Sequence, residues 1–414
     1  MRLVCAAAGA CLLILGVVAC GSSGEGGSTS TSGSSSSTSS STSQGASKEP
    51  IKIGIVKGFT GYMSAWDKPT SIAEEMAVED QNKKGGVDGR ELQVVKVDMH
   101  SEPVEATQAA QEVLSQGIDF MITSCDFENG APAAIAAQEK EVVAMSDCAG
   151  SPRFGKQGIG PLAFTMGMLG PTEGAAWAQW AVEGGLEHAY LLEDTTLDYF
   201  TQVAAGFEQE WSKLGQKLVG KDTFEDEDPS FSAQVNRLRT TPGVDFIALA
   251  TTPPAGASMI KQIRAAGINL PIISDQAFDG EEWEQAVPNL SEFFFSSYGS
   301  LTGDDPNPEE NEFVKRYEKR TGEQPGKSSL VTGYSVIQAY VWAAEKCNCT
   351  GGPKLAEALE TMTNAPLLMG DTTFTSEYHF DPERPVKIMQ IQDGKTTYLE
   401  TVKVKKPLDI GSLL

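Results

Sequence analysis

Residues 120–137, FMITSCDFENGAPAAIAA, change character halfway along. The first part is apolar and β-branched and reads as a buried strand; the last part, APAAIAA, reads as the start of a helix. Between them stand a cysteine (Cys125), two acids (Asp126 and Glu128), an aromatic (Phe127) and an asparagine (Asn129). That mixture falls at the carboxyl end of a strand, where the N–H groups of a helix start open towards a cleft and suit an anionic or polar group. Asn129 lies closer than Asp126 to the apolar helical run and reads as its N-cap.

Outward from this stretch the same alternation repeats. IKIGIVKG (51–58) is a strand, and a helix follows whose stripe is Ile72, Ala73, Met76 and Ala77, stopped by Gly85-Gly86. ELQVVKVD (91–98) is a strand, PVEATQAAQEVLSQG (103–117) a helix, and EVVAMSD (141–147) another strand after the quoted unit. The pattern restarts with the helix PTEGAAWAQWAVEGG (171–185). Strands HAYLLED (188–194), KLVGKDTF (217–224), VDFIALAT (244–251) and LPIISD (270–275) then alternate with helices over 199–215, 231–241 and 256–267. Helices around 308–320, 328–346 and 353–362 follow, then short strands such as PVKIMQIQDG (385–394). The fold class is α/β: two doubly wound, Rossmann-like lobes joined by crossovers, with both sets of strand carboxyl ends at one cleft.

The front of the chain has a different composition. Met1 and Arg2 precede an apolar run, LVCAAAGACLLILGVVA, which is short for a membrane span and has the charged start of a secretory signal. GVVAC resembles a lipobox, which makes residues 1–19 a signal peptide and Cys20 the lipidated residue. The Ser/Thr/Gly-rich stretch to residue 49 has almost no apolar residue and forms a flexible tether. About 365 residues remain, enough for two domains. A formal net charge of −24 with dispersed acids argues against nucleic acid. Of seven cysteines, four lie beyond the tether: Cys125, Cys148, Cys347 and Cys349. In an exported protein they permit two disulfides. Cys125 and Cys148 follow adjacent strands and are within bridging reach, whereas the one-residue gap of Cys347 and Cys349 strains a mutual bond and leaves that pairing open. Their spacings fit no zinc pattern, and neither metal nor cofactor is expected.

Taken together, IKIGIVKGFTG, AVEDQNKKGGVDGRELQVVKVD, EPVEATQAAQEVL and DPSFSAQVNRLRTTPGVDFIAL resemble the branched-chain-amino-acid type of solute-binding protein, which delivers solutes to ABC importers. The resemblance runs from Ile51 to about Asp393 and implies a periplasmic-binding fold with three hinge crossovers, closing like a clamshell. Lobe one is then residues 51–167 with 301–365, and lobe two 168–300 with 366–414. The implied partners are a small solute and the permease and ATPase subunits, the protein itself being a monomer held to the outer face of the membrane by its lipid. A ligand-sensing domain for a signalling partner is the alternative reading.

An enzyme is the rival class, and its signatures are missing. His100, His188 and His379, the three histidines, stand beside no nucleophile pattern, and G-x-S-x-G is absent. TGEQPGKSS (321–329) resembles a phosphate loop, but Gly322 and Gly326 are one residue too close, and a charged helix precedes it. A helix end, a turn and a new helix start account for it.

By position, the resemblance puts ligand contacts at Trp66 after the first strand and at Ser124 to Asn129 after the third, with the family's serine falling near Phe127. Ala149, Gly150 and Ser151 follow the fourth strand. Lobe two contributes Tyr199, Thr251 and Thr252, and the ammonium-binding glutamate aligns with Gln276, beside Asp275. Two departures stand out: Phe127 cannot donate to a carboxylate, and neutral Gln276 cannot make a charge-assisted bond to an ammonium. Either the alignment slips by one, bringing in Glu128 or Asp275, or the ligand is not a plain α-amino acid. Phe127 reads equally as a plug of the strand end, Tyr199 as packing and Ser151 as a turn residue.

Overall fold

The computed structural model describes residues 48–413; the expected signal peptide, Cys20 and most of the tether lie outside them. The chain begins with β1 (Ile51–Lys57), α1 (Ser64–Lys83), β2 (Leu92–Asp98), α2 (Pro103–Ser115), β3 (Phe120–Thr123), α3 (Phe127–Gln138), β4 (Val143–Ser146) and β5 (Ala163–Thr165). These five strands form one parallel sheet in the order β2-β1-β3-β4-β5. A second series follows: α4 (Gly170–Glu183), β6 (Ala189–Asp194), α5 (Asp198–Lys213), β7 (Gly220–Phe224), α6 (Ser232–Thr240), β8 (Phe246–Ala250), α7 (Ala255–Ala265), β9 (Ile272–Ser274) and β10 (Phe293–Ser297). The tail supplies α8 (Pro308–Thr321), α9 (Leu330–Cys347), α10 (Pro353–Leu359), β11 (Ala365–Leu367), β12 (Gly370–Thr372), β13 (Val386–Gln392) and β14 (Lys395–Val402). The second sheet runs β14-β13-β10-β9-β8-β6-β7, parallel except for β13 and β14, which add antiparallel at one edge.

Burial explains why the central strands lack alternation. FMIT of β3, VAMS of β4 and FIALA of β8 are buried at every position because helices cover both faces of each sheet. The three-residue β5 and the FFFSS strand β10 have no distinct signal in the sequence reading. β5 is too short to show a period, and β10 is three phenylalanines followed by two serines, with no alternation.

The chain passes between the sheets three times: after β5, after β10, and between β12 and β13. The first two crossings touch, the Met168 N–H donating to the Tyr298 hydroxyl at 3.0 Å. α9 returns to the first sheet and packs on α1, where the Gly333 position is so close to the Thr70 carbonyl that a β-carbon there would lie 2.5 Å from it. The β11–β12 hairpin, expected in the second lobe from residue 366, instead rests on α9: the N–H groups of Leu368 and Met369 donate to the Gln338 and Ser335 side chains. The passage to the second sheet comes only with β13. Among the described residues, no helix is long and apolar enough to cross a membrane.

Candidate functional site

The carboxyl ends of β1, β3 and β4 are stitched together by buried charge. Lys57, the last residue of β1, is fully buried and reaches Glu74 on α1 at 2.5 Å, the Thr70 hydroxyl at 2.8 Å, and Asp147 just after β4. Asp67, also on α1, accepts from the Gly58 N–H and the Ser124 hydroxyl, both at 2.7 Å, and from the Cys125 N–H at 3.0 Å. Burial pushes the Glu74 carboxyl up to about 8 despite the pull of Lys57, with Asp147 adding to the rise; burial raises Asp67 too. The sequence reading missed this network, although Asp67, Thr70 and Glu74 recur at helical spacing next to the apolar stripe of α1.

Parallel pairing sets Thr123 opposite Ser146, so two residues further on Cys125 meets Cys148. Their Cα atoms are 4.6 Å apart and the sulfurs are joined; Cys347 and Cys349 are joined as well, with Cα atoms 5.2 Å apart. Just past Cys125, Asp126 rather than Asn129 caps α3, because the helix starts at Phe127, four residues before the apolar run. The Asp126 carboxylate accepts from the Asn129 N–H at 2.7 Å and from its amide at 2.8 Å. Burial and then the charge of Glu128 raise its pKa to about 6.

These loops face the strand ends of the second sheet across a cleft of about 630 Å³. Of the expected contacts, Trp66, Phe127, Gly150 and Ser151 line it from the first sheet's side, and Tyr199, Thr252 and Gln276 from the second's. Gly150 must be glycine, since a β-carbon there would lie 2.7 Å from the Tyr199 ring and 2.9 Å from the Met168 carbonyl. The other expected contacts sit outside the lining, and each has a structural partner. Ser124 is bonded to Asp67, Ala149 is fully buried, and Thr251 donates its N–H to Asp275 and its hydroxyl to Asp194. Asp275 also caps the short turn at Gln276–Phe278 through the Ala277 N–H, at 3.0 Å. Asn129 serves Asp126, and Glu128 reaches across to accept the Asp198 N–H at 3.2 Å. These six side chains are turned away from the cleft, because strand-end residues alternate between cleft and interior.

The cleft also contains residues that the sequence reading did not assign. Tyr62 and Met63 join Trp66, and the bonded Cys125 and Cys148 form part of the lining. Lobe-two loops add Thr195, Thr196, Glu225, Asp226 and Glu227. The acidic run EDED at 225–228 was the available signal, but it reads as a solvated loop until the strand ends are assembled. Behind the lobe-two wall lies Glu173, which accepts the Gln276 N–H at 2.8 Å and the Tyr199 hydroxyl; burial raises its carboxyl to about 7.

A second hollow of about 730 Å³ lies beside the β10 crossing, lined in part by Asp279, Glu282, Lys315 and Glu318. No loop that follows a strand of the first sheet contributes to it, whereas the cleft is lined by strand-end loops of both sheets, so the cleft is the candidate site. Between the two hollows, Lys327 donates to the Asp279 carbonyl at 2.6 Å and pairs with Glu282 at 2.6 Å. The PGKSS turn thus holds one lobe to the other, and its lysine is already occupied.

Residues 50–396 match the periplasmic binding protein family. Among curated proteins, the leucine-, isoleucine-, valine-, threonine- and alanine-binding protein of Pseudomonas aeruginosa is 22% identical over 324 residues, covering 78% of this chain and 85% of that protein. Among solved structures, the branched-chain amino acid transporter substrate binding protein LivJ of Streptococcus pneumoniae, in complex with isoleucine, superposes with a TM-score of 0.75 at 22% identity, over 86% of this chain and 99% of that one. An R. palustris ABC transporter solute binding protein in complex with benzoate gives 0.69 at 18% identity, over 86% and 98%. With two lobes, three crossings, a cleft between strand ends and a family match along most of its length, the chain belongs to the periplasmic binding protein family and has its type I fold.

Proposed function

We propose that this protein captures a small organic solute in the cleft and delivers it to an ABC importer. The observation that carries the reading is the cleft itself: a concave space at the carboxyl strand ends of two sheets, with Trp66 and Phe127 on one side and Tyr199 and Gln276 on the other. A solute touching both walls favours the closed arrangement by its differential affinity, and a permease can read that arrangement. Trp66, Phe127 and Tyr199 offer flat apolar faces, while Gln276 offers a donor and an acceptor. The solute is therefore an amino acid, an amide, or another small molecule with a flat or apolar part and a polar end. The relatives' occupants, isoleucine in one and benzoate in another, are compatible with a frame that accommodates different solutes.

In this reading residues 1–19 are removed as a signal, Cys20 carries the lipid, and the stretch to residue 49 tethers a monomeric body to the outer face of the membrane. Lobe one is built on the first sheet and lobe two on the second. Mass spectrometry of protein purified from its native host and mildly denatured should release a single small solute. Recovery of none, together with no melting shift across a solute library, would overturn the reading. A Cys20→Ala variant should be released from membranes that retain the wild type.

A further inference from the structure

We propose that the cleft selects a small organic cation: a solute carrying a charged nitrogen beside a flat or apolar group, without a carboxylate. The inference rests on the solute-binding reading above and narrows it to a ligand class. Four carboxylates line the cleft, Asp126 on the first sheet's side and Glu225, Asp226 and Glu227 on the second's; among the described residues its lining contains no lysine, arginine or histidine. Two cations packed on the cleft's aromatic rings are already held. Arg153 lies 4.3 Å from the centre of the Phe127 ring and pairs with Asp198, and Lys327 lies 5.1 Å from the centre of the Trp66 ring and pairs with Glu282.

An independent observation is the Gln276 side chain. It lines the cleft, is 7% exposed, and its carbonyl oxygen has no partner. A buried acceptor without a donor carries a desolvation cost that an N–H-bearing ligand would remove. Behind Gln276, the buried Glu173 accepts the Gln276 N–H at 2.8 Å and fixes that residue at the wall. Aromatic faces complete the site, since a charged nitrogen is drawn to the ring faces of tryptophan and tyrosine. An anion would meet like charge from both lobes.

Two matched series separate the classes, using protein freed of bound solute by exhaustive dialysis. One is 2-phenylethylamine, phenylalanine and 3-phenylpropionate; the other is 3-methylbutylamine, leucine and 4-methylpentanoate. Calorimetry should show an amine binding at least about tenfold tighter than the amino acid and the acid of its own series, with affinity falling as salt rises. The variant E225Q/D226N/E227Q changes only exposed rim residues, and should weaken the amine by about tenfold while leaving the acid unchanged or tighter. If an amino acid or an acid binds as tightly as its amine, the cation class is wrong and the solute-binding reading stands. The cation class is equally wrong, and solute binding equally intact, if all six fail and the solute released from native protein is neutral or anionic. If all six fail and nothing is released, both readings fall.

Discussion

Lys57 has no exposed surface, yet its ammonium is set among Glu74, Asp147 and Asp67 beneath the cleft floor. Its proton affinity is raised because the pull of those carboxylates exceeds the penalty of burial. Removing the cation strands the acids, so Lys57→Met should cost about 3–5 kcal/mol, read by urea unfolding. An unchanged midpoint would mean that the acids are held neutral without it. The same group gives a pH dependence. Glu74 has a folded pKa of about 8 against an ordinary 4.5, so between those values the unfolded chain releases a proton that the folded chain keeps. Stability is then fully present below the lower value and is lost as pH rises through the upper one. The melting temperature should fall from pH 5.5 to pH 8, and Glu74→Gln should make that fall shallower. A slope unaffected by the substitution would place the titration elsewhere. In the sequence Lys57 is only the polar end of a strand, since what surrounds it comes from residues up to 90 positions away.

The β3–α3 unit shows how much of an element can be read locally. Its strand, its helix and its place at a cleft followed from FMITSCDFENGAPAAIAA, because apolar runs and periodicity are properties of consecutive residues. The choice of N-cap did not follow, since proximity to the apolar run pointed to Asn129 while the backbone begins its helix at Phe127. Which side chains face the cleft was equally hidden: Phe127 lines it, whereas Ser124 is turned to Asp67. The approach of Cys125 to Cys148 was legible, because adjacent parallel strands in register bring equivalent loop residues together. Their bond closes a loop with a sequence separation of 23 residues between neighbouring floor segments. For a loop of that length, a Cys125→Ser/Cys148→Ser variant should lose about 3 kcal/mol by the chain-entropy relation. Alkylation without reduction, read by intact mass, should leave both sulfurs unlabelled; labelling of both would reject the bond.

At the scale of the whole molecule, the two-lobed plan was visible as a pattern that restarts near residue 170, because each sheet is assembled from contiguous βα units. The contacts between lobes were not visible, since they join distant loops. One centres on Asp198 at the start of α5. Its carboxylate accepts the Ser151 hydroxyl at 2.5 Å and an Arg153 N–H at 3.3 Å, and its own N–H donates to Glu128 at 3.2 Å. Asp198 thus holds three side chains of the first lobe from a single position on the second. Ser151 is buried, so its bond counts, while Arg153 is half exposed and solvent screens its share. Asp198→Ala should leave both lobes folded but shift the population towards the open arrangement, weakening solute binding by about tenfold through the lost closed fraction. Solution scattering gives the direct reading. Saturating solute, verified by calorimetry, should reduce the radius of gyration of the wild type, and the unliganded variant should start from a larger radius. A wild-type profile unchanged at saturation would mean that the lobes do not close on their ligand. A variant with wild-type radius and affinity would mean that Asp198 only decorates a hinge set by the three crossings.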